Sequence, residues 1–96
     1  MKRDEIIQSI HRFKENNKEK YQIIRLGIFG SVARGVMSPD SDVDIVVELE
    51  KPDLFFLIGI KQDLEEQLNR PVDIVRYRNK MNTYLKQRID QEAVYV

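Results

Sequence analysis

The chain has 96 residues, 42% hydrophobic and 33% charged, enough for one modest core and read as a single domain over residues 1–96. Its 16 basic and 16 acidic residues cancel, so no overall positive field draws it to nucleic acid or to an anionic membrane. The lack of cysteine excludes disulfides, thiolate catalysis and zinc–thiolate sites, and His11, the one histidine, excludes a multi-histidine metal site within the chain.

The first residues, Met1-Lys2-Arg3-Asp4-Glu5, turn acidic at once and lack the apolar core of a signal sequence, so a cytoplasmic location is expected. Asp4 is the candidate cap of a first helix, in which Ile6, Ile7, Ile10 and Phe13 recur at helical spacing. Asn16-Asn17 is its stop, and His11 on its flank reads as structural or solvated. Ile23 to Phe29 is short, aliphatic and broken by Gly27, and reads as a strand. Gly30 to Ser41 is turn-rich, with room for one helical turn at Val32 to Arg34, and Asp42 to Leu49 is a second strand. Pro52-Asp53 opens a second helix with a Leu57, Ile60, Leu64, Leu68 stripe, ended by Asn69-Arg70-Pro71. The apolar run Leu54 to Ile60 within it is far shorter than the ~20 residues a membrane span needs. Leu54-Phe55-Phe56-Leu57-Ile58 is apolar nearly all round, and serves either as core or as a contact surface for another chain.

Val72 to Val75 is a third strand. Asn79 is the candidate cap of a last helix carrying Met81, Tyr84, Leu85, Arg88 and Ile89, and Ala93 to Val96 fits a short terminal strand. The basic residues Arg76, Arg78, Lys80, Lys86 and Arg88 read as a solvated helix face, with a partner-binding surface as the alternative. The order αββαβα, with a last β, gives an α/β (α+β) fold: a small mixed sheet with helices packed on it.

The short Gly30–Ser41 connection favours antiparallel pairing of the first two strands, because a parallel pair needs a longer helical crossover. The helix between the second and third strands suits a right-handed parallel crossover. The end of strand one then lies beside the starts of strands two and three. Gly30, Ser31, Asp42, Asp44 and Asp73 meet at that edge. Strand residues two apart share a face, so Asp42 and Asp44 project together while Val43, Ile45 and Val47 face the opposite way.

This combination suggests a phosphate cradle facing a divalent-metal site. Gly30 lets the backbone turn sharply against a ligand, the Ser31 hydroxyl and N–H can donate to phosphate oxygens, and Gly35 permits the turn back. A short helix at Val32 would aim further N–H groups at the same anion. Ser38-Pro39-Asp40-Ser41 is a turn sequence that delivers Asp42 into its strand. Two carboxylates held close need something positive between them, and Mg²⁺ takes one or two carboxylates plus phosphate oxygens and waters. With Asp73, three aspartates can hold two metals about 3.5–4 Å apart. Arg34 could neutralise a phosphate, or could pair with Asp40 or with an acid of a partner.

Gly30-Ser31 followed by Asp42-Val43-Asp44 resembles the signature of the DNA polymerase β-type nucleotidyltransferases. Asp73 falls where that family carries its third carboxylate. Ala33-Arg34-Gly35, Ser41 to Ile45, Pro71 to Val75 and the ending Ile89 to Val96 are similar to the minimal nucleotidyltransferases, so the resemblance covers the whole chain. It implies the nucleotidyltransferase fold and a HEPN-domain toxin as partner, with this chain as the antitoxin of the pair. It implies transfer of AMP from ATP, with Mg²⁺, to a tyrosine hydroxyl of the toxin. Asp42 and Asp44 would then bind both metals and the triphosphate. Asp73 would hold the catalytic metal and help deprotonate the acceptor. Gly30 and Ser31 would hold the β- and γ-phosphates, with Arg34 as a further nucleotide contact. Larger enzymes of the superfamily carry extra domains that grip the base and the acceptor, so a homo- or hetero-oligomer is expected to complete the site.

Two other functions fit the same residues. The chain could neutralise a toxin by binding alone, through the Leu54–Ile58 cluster, with a non-essential nucleotide site. It could instead transfer a nucleotide to a small molecule or an RNA end, against which its zero net charge argues.

Overall fold

A four-stranded mixed sheet forms the centre of the computed structural model, which describes residues 2–36, 38 and 40–96. Its strands are β1 (Ile23–Phe29), β2 (Val43–Leu49), β3 (Val72–Arg76) and β4 (Val94–Tyr95), in the spatial order β3-β2-β1-β4. Four helices accompany them: α1 (Arg3–Asn17), α2 (Gly30–Ala33), α3 (Leu54–Leu68) and α4 (Thr83–Glu92). β1 runs antiparallel to both β2 and β4, whereas β2 and β3 run parallel. Both expected pairings are met, and for the expected reason. Among its described residues, the β1–β2 connection holds only the short α2, while α3 supplies the crossover that parallel strands require.

The alternation along β2 divides the core into two layers. Val43, Ile45 and Val47 are fully buried and share the larger cluster with Ile6, Ile10 and Phe13 of α1 and Ile60, Leu64 and Leu68 of α3. Val46 joins a smaller cluster with Phe29 and with Ile89 of α4. Each such aliphatic burial contributes roughly 1.5–3 kcal/mol. Together they fix the register, since a slip of one residue would drive Asp44 into the main core. Asp44 therefore shares the α4 face with Val46. Gly27 allows β4 to close on β1: a side chain there would meet the Val94 carbonyl at 2.7 Å and the Tyr95 ring at 2.9 Å.

Two helix starts differ from expectation. Asp4 lies inside α1; Lys2 is the cap residue, and the Glu5 carboxylate accepts its N–H at 3.1 Å. Asn79 precedes α4 without capping it, and Asn82 takes that place by accepting the Leu85 N–H at 3.0 Å. Several residues near each start have suitable side chains, and the cap is the one where the backbone enters helical geometry. Asp53 caps α3 as expected, accepting from Phe55 and Phe56 at 2.9 and 3.2 Å. Asn69 ends that helix in the left-handed conformation, at φ 54°. Met37 and Pro39, within the connection read as a turn, lie outside the described residues.

The apolar start of α3 splits in two. Phe56 and Leu57 pack against the main core, whereas Leu54, Phe55 and Ile58 are exposed, Phe55 by 82%. Among the described residues, no helix is long and apolar enough to cross a membrane.

Candidate active site

The sheet register brings the signature residues to one place. Phe29, the last residue of β1, stands opposite Asp44, and Asp44 stands beside Asp73 on β3. Adjacent strands lie about 4.8 Å apart, so Gly30, Asp44 and Asp73 form a continuous edge. Gly30 has φ 74°, a conformation that side-chain-bearing residues rarely adopt. A Cβ there would also overlap the Asp44 carboxylate. The backbone thus requires glycine here, and the missing side chain leaves room for the Asp44 carboxylate. Gly35 turns the chain back at φ 76°, as its place in the sequence suggested.

Asp44 is half-buried, while Asp42 and Asp73 are exposed. Burial is the main influence raising the Asp44 pKa, and the neighbouring Asp73 raises it further. Arg88 opposes this, Asp42 adds to it, and Arg34 also opposes it. Asp44 thus feels every group expected at this edge that carries charge. Among the described residues, no three acidic or imidazole side chains stand close enough to enclose a single cation. The register joins Asp44 to Asp73 directly, and Asp42 enters through its charge at the mouth of β2.

The loop ahead of Asp42 is tied to the sheet. The Arg70 guanidinium donates to the Ser38 carbonyl at 2.6 Å, and the Ser38 N–H donates to the Ser41 hydroxyl at 2.9 Å. The Val43 N–H then donates to the Pro71 carbonyl at 3.0 Å, which locks the start of β2 to that of β3. Ser31 is half-buried in α2, and its carbonyl accepts the Val36 N–H at 2.9 Å.

Within the chain, Arg34 pairs with Glu92 rather than with Asp40. Its Nη1 lies 3.2 Å from Oε2 of Glu92, which also accepts the Gly30 N–H at 3.3 Å. Arg88 approaches the same carboxylate at 3.6 Å. Neither Arg88 nor Glu92 stood out as a site residue in the sequence. Arg88 reads there as part of a solvated face, and Glu92 only as part of the chain's ending. Their spacing on α4 was the available signal, because residues four apart on a helix share a side. What the sequence conceals is where α4 ends. The pairing of β4 with Gly27 and Ile28 brings Glu92 back to the end of β1. His11 is exposed and lies 3.8 Å from Glu15, in keeping with a solvated role.

Comparison with known proteins gives the class, a nucleotidyltransferase. The model of the nucleotidyltransferase domain family matches residues 10–96, and the chain belongs to that family. Thermococcus cleftensis protein adenylyltransferase MntA is 33% identical over 94 residues, spanning 97% of this chain and 94% of that protein. A solved structure described as a minimal nucleotidyltransferase superposes with a TM-score of 0.80 at 29% identity, over 98% of this chain and 95% of the other. A toxin–antitoxin crystal structure with AMP-PNP has a TM-score of 0.76 at 25% identity, over 92% of this chain and 69% of the other. At 23% identity, a Shewanella oneidensis structure of a tri-AMPylated HEPN toxin in complex with an MNT antitoxin shares the fold. Its TM-score is 0.59, over 88% of this chain and 69% of the other.

Proposed function

We propose that this chain is the antitoxin of a HEPN toxin–antitoxin pair and transfers AMP from ATP to a tyrosine hydroxyl of its toxin. The observation that carries the reading is the Gly30 backbone set against the Asp44 carboxylate, with Asp73 in register beside it. The likeness to MntA and to the nucleotide-bound toxin–antitoxin structure supports it. The chain acts in the cytoplasm as one domain over residues 1–96, with the toxin supplying the acceptor.

The donor set at this edge suits Mg²⁺. Its groups are hard carboxylate oxygens, and burial, then the neighbouring Asp73 and Asp42, disfavour the Asp44 charge, a penalty that a divalent cation relieves. Asp42, Asp44 and Asp73 would hold the ions. When bound, they would offset charge on the leaving pyrophosphate and ease deprotonation of the acceptor.

The chain's own residues do the positioning. Gly30 and Ser31 hold the β- and γ-phosphates by backbone N–H and hydroxyl, and Arg34 adds a guanidinium. The tyrosine oxygen forms a bond to the α-phosphorus. The bond from that phosphorus to the α–β bridging oxygen breaks, and pyrophosphate leaves with the electron pair. Asp73 helps take the hydroxyl proton. Incubating the chain with labelled ATP, Mg²⁺ and its neighbouring HEPN protein should label that protein. Active material that transfers nothing would remove the enzymatic reading.

A second reading rests on the exposed Leu54, Phe55 and Ile58. Binding through that surface would neutralise the toxin without chemistry. An Asp42→Asn, Asp44→Asn double variant that still neutralises at ordinary expression would favour it.

A further inference from the structure

One contact at the proposed nucleotide site has the wrong charge for a site that is ready to receive phosphate. The Glu92 carboxylate accepts the Gly30 N–H at 3.3 Å. Arg34 Nη1 lies 3.3 and 3.2 Å from its two oxygens. Arg88 Nη2 lies 3.6 Å from Oε2. Two guanidinium groups and one backbone N–H therefore converge on a single carboxylate. Arg34 and Arg88 are also the two cations that act on Asp44. Both are engaged by an internal anion.

That carboxylate reaches the site from a separate element. Glu92 ends α4, and the chain turns at once into β4, whose pairing with Gly27 and Ile28 anchors it beside the end of β1. Arg34 follows α2 directly, so the Arg34–Glu92 pair bridges the Gly-Ser turn to the end of α4. Both side chains keep solvent contact, Arg34 at 49% and Glu92 at 24%, so the pair can open without disturbing the core. The carboxylate can rotate away while the backbone of β4 stays in place.

We infer that Glu92 is an internal stand-in for a nucleotide phosphate: it holds Arg34 and Arg88 at the site and is displaced when a polyphosphate binds. This rests on the nucleotidyltransferase reading and extends it to a residue the signature does not contain. Arg88 becomes, with Arg34, a phosphate-positioning residue. Glu92 sets the affinity for the triphosphate without touching the reacting atoms. Like charges a few ångströms apart near a protein surface repel strongly, so removing one charge from the pocket has a measurable effect.

The test measures affinities of the full chain for ATP, tripolyphosphate and adenosine by calorimetry with Mg²⁺ present, for the parent, Glu92→Gln and Glu92→Asp. Glu92→Gln should bind ATP and tripolyphosphate about tenfold more tightly, with adenosine unchanged. Glu92→Asp, whose carboxylate is withdrawn by one methylene, should gain less. Arg88→Gln should lose tripolyphosphate affinity, and this arm stands even if the Glu92 variants fail to fold. Unchanged or weaker polyphosphate binding by folded Glu92→Gln overturns the inference, as does unchanged binding by Arg88→Gln. If the parent binds ATP and the variants show no shift, only this inference falls. If neither ATP nor tripolyphosphate binds the parent or any variant, the AMP-transfer reading falls with it.

Discussion

The carboxylate of Asp44 occupies the space that any side chain on Gly30 would need. The turn that would hold phosphate and the carboxylate that would face it are thus one packing unit. Gly30→Ala should fail on two counts. Left-handed backbone costs a non-glycine residue roughly 1–2 kcal/mol. The added methyl also displaces the Asp44 carboxylate from its place against the turn. A lower melting temperature together with loss of transfer is expected. A variant with parental activity would show that the two residues are not coupled.

Asp44→Asn separates catalysis from stability. Asp44 carries a charge that burial and Asp73 both disfavour. Removing it should leave the melting temperature at pH 7 equal or higher in the absence of nucleotide and divalent ions. Transfer should fall by about 10²-fold or more, the scale for deleting a preorganised electrostatic group. Thermal melts and initial rates on one preparation check both halves.

How much of this was legible in the sequence depends on how local the determining interaction is. The β-strand spans and the edge formed by Gly30, Asp44 and Asp73 follow from hydrophobic runs and connection length, which act within a few dozen residues. The caps at Lys2 and Asn82 were missed because several nearby polar residues compete and backbone entry geometry decides between them. Glu92 was missed for a different reason. Its contact with Gly30 spans 62 residues and depends on the pairing of the two-residue strand β4, which periodicity barely signals. The split of the Leu54–Ile58 cluster into core and surface also needed the position of Tyr21, whose ring packs against Phe56.

Tyr21 gives a pH signature. Its hydroxyl donates to Asp63 at 2.6 Å, and burial, then that bond, push its pKa up to about 12. The fold favours the protonated phenol. Its contribution is therefore complete below the ordinary value of about 10, and is lost as pH rises through the folded value. Tyr21→Phe should be less stable by about 1 kcal/mol at pH 7. Its stability should fall less steeply than the parent's between pH 10 and about 12. Denaturant titrations across that range measure the difference.

Phe55→Asp tests the surface at the start of α3. Phe55 is 82% exposed, so the change should shift stability by under about 0.5 kcal/mol. If this surface meets the toxin, association should weaken by at least tenfold in a pull-down or calorimetric titration. An unchanged affinity would place the toxin contact elsewhere on the chain.

The central claim is transfer of AMP to a partner's tyrosine through the edge built by Gly30, Asp44 and Asp73. The most direct measurement is the intact mass of the HEPN partner after co-expression, followed by mapping of the modified residue. With the parent chain, the partner should gain one or more AMP units on tyrosine. With the Asp42→Asn, Asp44→Asn variant, it should gain none. A partner of unmodified mass in both cases, bound to and neutralised by the chain, would contradict the account.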